Sequence, residues 1–159
     1  MIAPAADPLH HRRASEFTAP AAARTAEQAA LLEVGEQRRD GLVGVLAVLL
    51  NVADEPAVLV AHSLGCLLTA AWAAHSRNTQ LVRAALLVAP GDPTGESVRS
   101  VLSSWVPVQG TRLPFRSLLL GSQNDPYCSL ERARGFASDW GCEFIDYGHR
   151  GHINADSGL

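Results

Sequence analysis

Hydrophobic positions along this chain follow two rhythms, and the switches between them outline the fold. Leu42, Val45, Leu46, Leu49 and Leu50 recur at helical spacing, which predicts a helix over residues 38–52. Asp54-Glu55-Pro56 closes it, because a residue before proline is pushed out of helical geometry. Ala57 to Ala61 (AVLVA) is then an unbroken apolar run, the pattern of a parallel strand buried on both faces. A helix is predicted from Leu64 to about His75, and strands over Leu81–Ala89 and Ser117–Gly121. Ser129 as N-cap, Glu131 in the first turn and Gly141 after Trp140 delimit a third helix. Cys142–Tyr147 makes a fourth strand, leading into Gly148-His149-Arg150-Gly151-His152. Residues 92–116 mix Gly, Pro and Ser with Trp105 and Phe115, and are expected to form a lid or pocket wall. Residues 1–30 are rich in Ala, Pro and Arg without a clear period. They are expected to be poorly ordered apart from a short helix from Ala21 to Leu32, leaving residues 31–159 as the folded domain.

Strands alternating with helices argue for an α/β protein with a mostly parallel sheet, whose active loops lie at the C-terminal ends of the strands. The totals narrow the chemistry. A net charge of −3 gives no reason to expect a nucleic-acid or membrane partner. All thirteen basic residues are Arg, so a phosphate-loop lysine, a Schiff base and a Ser–Lys dyad are excluded. Cys66, Cys128 and Cys142 lack metal-ligand spacing, and their odd number without close pairs fits a reduced, cytoplasmic protein better than a disulfide framework. The most apolar run, Leu42 to Leu50, is far short of the roughly twenty residues a membrane span needs. The N-terminal residues show no apolar core of a signal peptide.

The chemistry concentrates at three strand ends. Ala61-His62-Ser63-Leu64-Gly65 lies where a buried strand turns directly into a helix, the setting of a nucleophile elbow. Such a turn needs small residues two before and two after the serine, and Ala61 and Gly65 are small. Ser63 is therefore the candidate nucleophile, and the Leu64 amide the candidate oxyanion donor. The plainer reading of Ser63 is an N-cap. His62 is expected as a packed residue at the edge of a substrate pocket, with Trp105, Phe115 and Tyr127 as further pocket candidates and core packing the expected fate of at least two of these three.

A serine hydroxyl needs an imidazole to take its proton, and the imidazole needs an acid to fix its tautomer. In this arrangement the chain order is Ser, then Asp or Glu, then His. Only His149 and His152 follow the last strand; His152, preceded by Gly151, is the candidate base and His149 a solvated loop residue. Asp125, in Gln123-Asn124-Asp125-Pro126-Tyr127, and Asp92, in Pro90-Gly91-Asp92-Pro93, both follow strands. Asp125 lies one strand before the histidine loop and is the favoured acid. Asp156 is read as a surface residue.

The segments PAVLVAHSLGCL, ALLVAPGDP, LPFRSLLLGSQNDPYCSLERA and GHINADSG, in this order, resemble the small serine hydrolases of the YdeN and retinoblastoma-binding-protein type. The resemblance runs from about Arg38 to Leu159. It implies an α/β-hydrolase three-layer sandwich and, position by position, the same triad of Ser63, Asp125 and His152. It also implies a carboxylic-ester or related acyl substrate and no cofactor. That family opens with a strand and a Pro-Gly-rich loop supplying a second oxyanion donor; neither is legible here, beyond a faint strand remnant over Leu31–Gln37. Nor is the helix that follows its GHIN motif. The alternative is therefore a catalytically impaired α/β-hydrolase-fold protein acting as an interaction module, and an acyltransferase on the same triad is a third reading.

Overall fold

The computed structural model describes residues 39–51, 53, 55–96, 98–100 and 102–157. The segment 1–30, the helix expected over 21–32 and the strand remnant at 31–37 lie outside these residues. Four strands, β1 (Ala57–His62), β2 (Val82–Val88), β3 (Arg116–Gly121) and β4 (Glu143–Asp146), form one sheet. All three neighbouring pairs are parallel, and the spatial order follows the chain, β1-β2-β3-β4. The connecting helices are α1 (Arg39–Asn51) before β1, α2 (Leu64–His75) between β1 and β2, and α3 (Leu130–Trp140) between β3 and β4. Each boundary falls within a residue or two of the expected one, because each is marked by a local signal. At α3 the Ser129 hydroxyl accepts the Arg132 N–H, and Gly141 ends the helix at φ 69°, a left-handed conformation that glycine adopts without Cβ strain.

Parallel register places Ala61, Leu87, Leu119 and Phe144 in one row across the sheet. On that face they pack with Leu67 and Ala70 of α2 and Phe136 and Ala137 of α3 in the main core cluster. A second cluster sets Leu50 of α1 against Trp72 and Val82. Among the described residues the helices thus form one layer. Val58 and Val60 point to the other face and are 60% and 73% exposed. That face, where a sandwich carries its third layer, has no helix of the described residues on it. No helix of the described residues is long and apolar enough to cross a membrane.

Residues 92–116 do not behave as a lid along their whole length. β2 ends at the top of the sheet and β3 starts at the bottom, so this segment is the return crossing. Its second half is pinned to the end of α3: the buried Trp140 donates its indole N–H to Gln109 O at 2.6 Å, and Leu113 N–H donates to Trp140 O. Phe115 sits at the base of β3, against Trp72, at the sheet end opposite the strand C-termini. Trp105 is 4% exposed inside the main core cluster, so it packs the core instead of forming an open pocket wall.

Candidate active site

β1 runs straight into α2 with Ser63 as the only residue between them. Ser63 takes φ 55° and ψ −119°, an uncommon conformation for a side chain with a Cβ and the strain expected of an elbow. The turn is held by Ser63 N–H donating to Val88 O at the end of β2. Its tightness explains the small neighbours: a Cβ on Gly65 would stand 3.6 Å from that of Ala61, leaving room for a methyl and little more. Ser63 is the residue before α2, yet its side chain caps no helix N–H. Its Oγ lies instead 2.9 Å from His152 Nε2.

The other two candidates, Asp125 and His152, lie in the loops that follow β3 and β4. Both carboxylate oxygens of Asp125 lie within 3.0 Å of His152 Nδ1, and one also accepts the Tyr127 N–H. An acceptor carboxylate at Nδ1 places the proton there and leaves Nε2 bare toward Ser63. The Asp125 side chain is 2% exposed and that of His152 10%, so the pair is shielded from water on most sides. Asp92, the rival acid, is engaged elsewhere. It accepts from the Thr94 N–H and hydroxyl and pairs with Arg132 at 3.3 Å. His149 and Asp156 are exposed, as expected of loop residues.

The loop carrying His152 is shaped by turns and by hooks from β3. Gly148 and Gly151 have φ of 72° and 53°, values glycine reaches freely, but Ile153 is held at 48°. Gln123 N–H donates to Gly148 O, and Asn124 Oδ1 accepts the Gly151 N–H at 2.8 Å. Ser122 Oγ accepts the Arg150 N–H and reaches Gly148 O and Asn124 Oδ1, either of which takes its proton. Asp146, at the end of β4, caps the same turn. The Gly148 N–H on its carboxylate, followed by the Gln123 amide, holds its pKa below the usual carboxylate range. Ser122 and Asn124 were not singled out by sequence reasoning; a Ser and an Asn in a loop carry the same local signal whether they hook a neighbouring loop or face water.

Around this line the lining is mixed. His62 and Tyr127 flank the His152 ring edge-on, with centroids at 4.7 Å and 4.6 Å, and both are exposed at the surface beside it. Gly91, after β2, closes the floor: a Cβ there would lie 3.5 Å from Ser63 Oγ and 4.0 Å from Leu64 N. Leu64 N stands at the first turn of α2, where a helix N-terminus favours negative charge. All three cysteines are free thiols. Burial pushes the Cys66 thiol up, with Sγ 3.4 Å from Ala61 O and Val88 O, and pushes Cys128 up to about 12 and Cys142 to about 11. Raised in this way, the thiols stay protonated near neutral pH, where the reactive thiolate form is scarce. Among the described residues no group of three or more His, Cys, Asp or Glu could hold a metal ion.

Comparison with known proteins agrees with this architecture. A protein of Pectobacterium atrosepticum described as a YdeN-like hydrolase superposes with a TM-score of 0.64 at 29% identity, over 77% of this chain. The match spans 62% of that protein's length. The ydeN gene product of B. subtilis shares the fold at a TM-score of 0.61 and 19% identity, over 77% of this chain and 68% of its own. The esterase domain of a Rhodothermus marinus protein does so at 0.56 and 19%, over 86% of this chain and 75% of its own. No curated protein sequence matches. The profile of the serine hydrolase family matches residues 4–159. Fold, YdeN-like likeness and family profile converge: this chain belongs to the serine hydrolase family, with an α/β-hydrolase fold of the YdeN type.

Proposed function

We propose that the chain hydrolyses a carboxylic ester, or a related acyl bond in a small molecule, through an acyl-enzyme on Ser63. The observation that carries the reading is the unbroken hydrogen-bonded line from Ser63 Oγ through both nitrogens of His152 to the shielded Asp125 carboxylate. His152 Nε2 takes the Ser63 proton as Oγ attacks the substrate carbonyl carbon, and Asp125 stabilises the imidazolium. The oxyanion formed accepts from the Leu64 N–H; no second donor is assigned among the described residues. When the tetrahedral intermediate collapses, the C–O bond to the alcohol breaks and the alkoxide takes the proton back from Nε2. Water then repeats the sequence: Nε2 takes its proton, hydroxide adds to the acyl carbon, and Ser63 Oγ leaves reprotonated with release of the carboxylic acid.

The test is labelling of the purified chain with a fluorophosphonate probe, beside Ser63→Ala and His152→Ala. Labelling of the wild type that vanishes in both variants supports the triad. A folded wild type that takes no label overturns it and returns the chain to the interaction-module reading. Turnover of p-nitrophenyl esters of increasing acyl length, with and without an added alcohol acceptor, then separates hydrolysis from acyl transfer.

A further inference from the structure

His62 makes a contact that the triad chemistry leaves unused. Its Nε2 lies 2.8 Å from the main-chain carbonyl oxygen of His152. A carbonyl only accepts, so Nε2 carries the proton and donates. The two rings meet edge-on, at 4.7 Å between centroids and 63° between planes. The accepting peptide is an unusual one: it joins His152 to Ile153, whose φ is 48°. A β-branched residue there is held against its own preference, since Cβ crowds the backbone in the left-handed region. Such a conformation persists only where surrounding contacts over-determine it. The inner side of the loop is held by Asn124, through the Gly151 N–H, and by Asp125, through the imidazole. His62 supplies a further hold on the His152 peptide, from the last residue of β1, next to Ser63.

We infer that His62 is a positioning residue for the triad: it clamps the His152 peptide so that the imidazole stays within reach of Ser63 Oγ. This rests on the triad reading above. The elbow and the base loop are 90 residues apart in the chain at this contact, and the bond joins them directly. Because His62 is exposed, its removal takes little from the core, and its effect falls on alignment. A misplacement of about 1 Å at a reacting group lowers rate by up to about a hundredfold without comparable change in binding.

Three variants test this. Gln at position 62 presents its side-chain nitrogen the same number of bonds from Cα as His Nε2, so His62→Gln keeps the donor. His62→Asn is one bond too short, and His62→Leu has no donor. Fluorophosphonate labelling rate, and kcat and KM for p-nitrophenyl acetate, are read for each together with a thermal melt. The expected result is that His62→Leu and His62→Asn label roughly ten- to a hundredfold more slowly, with kcat falling and KM nearly unchanged. His62→Gln recovers most of the rate, while all three keep the wild-type melting temperature. Equal rates for all three variants and the wild type overturn the role of His62 while leaving the triad standing. Equal impairment of Gln, Asn and Leu also overturns it, since the donor would then not matter. A wild type that does not label overturns the triad reading, and the clamp with it.

Discussion

The buried hydroxyl of Ser122 accepts the backbone N–H of Arg150 at 3.0 Å, tying the end of β3 to the loop that follows β4. The loop after one strand carries Asp125 and the loop after the other carries His152, so this bond ties together the two loops whose side chains meet at 2.9 Å. Removing it by Ser122→Ala leaves the Arg150 N–H without that acceptor. The expected loss is about 1–3 kcal/mol, read from the urea midpoint, with a fall in esterase rate as the loop loosens.

Asp125 and Asp92 follow adjacent strands, but only Asp125 faces an imidazole. Asp125→Asn preserves shape while losing the charge and the tautomer preference, so kcat is expected to fall on the order of ten-thousandfold with the fold retained by circular dichroism. Asp92→Asn removes a partly exposed pair to Arg132 and is expected to leave kcat unchanged, at about 0–1 kcal/mol of stability. Similar losses of kcat in both would mean the acid is misassigned.

Gly91 borders Ser63, the proposed nucleophile. The Cβ of Gly91→Ala would meet Ser63 Oγ at 3.5 Å and Leu64 N at 4.0 Å, ordinary contacts that the fold accommodates. An incoming acyl carbon needs the same space, about 3–3.5 Å from Oγ. The variant is expected to melt like the wild type yet to label at least about tenfold more slowly, with larger acyl groups hit harder. Normal turnover of long and short esters alike would place the acyl group on another side of Ser63.

Gly121 shows the opposite case, a glycine required by the core. A Cβ there would stand 2.9 Å from Phe144 Cζ and 3.2 Å from Ala133 Cβ, where β3, β4 and α3 meet. Gly121→Ala therefore overpacks the sheet–helix seam just before the Asp125 loop. A loss of about 1–3 kcal/mol is expected in chemical denaturation.

Two thiols, the buried Cys128 and the half-buried Cys142, give a pH dependence of known sign. Burial raises the folded-state pKa of Cys128 from 9.0 to about 12, and that of Cys142 from 9.0 to about 11. The folded state thus holds its protons more tightly than the unfolded one. Stability is fully present below pH 9 and falls as pH rises from about 9 toward 11–12. Melts across this range should show a steeper alkaline decline in the wild type than in Cys128→Ala. Identical slopes would mean that the thiol is open to water in the folded chain.

Which parts were legible from the sequence follows from the range over which each is determined. Helices and strands were readable because periodicity, the Ser129 cap and the Gly141 stop act within a turn or two of the residues they organise. The elbow was readable for the same reason: a strand, a small-x-Ser-x-Gly turn and a helix are consecutive. The candidates Ser63, Asp125 and His152 could be named from chain order, but their meeting could not, since Ser63 and His152 are 89 residues apart. Only parallel register, which brings the C-terminal ends of β1, β3 and β4 to one edge, decided that Asp125 faces the imidazole while Asp92 turns to Arg132. The same holds for Trp105 and Phe115, whose aromatic character suits a pocket or a core equally, and which the return crossing after β2 carried into packing. The hooks at Ser122 and Asn124 and the His62 contact belong to this second class. A side-chain hydrogen bond across the fold leaves no periodic trace, because its partner is set by tertiary packing and not by any neighbour in the chain.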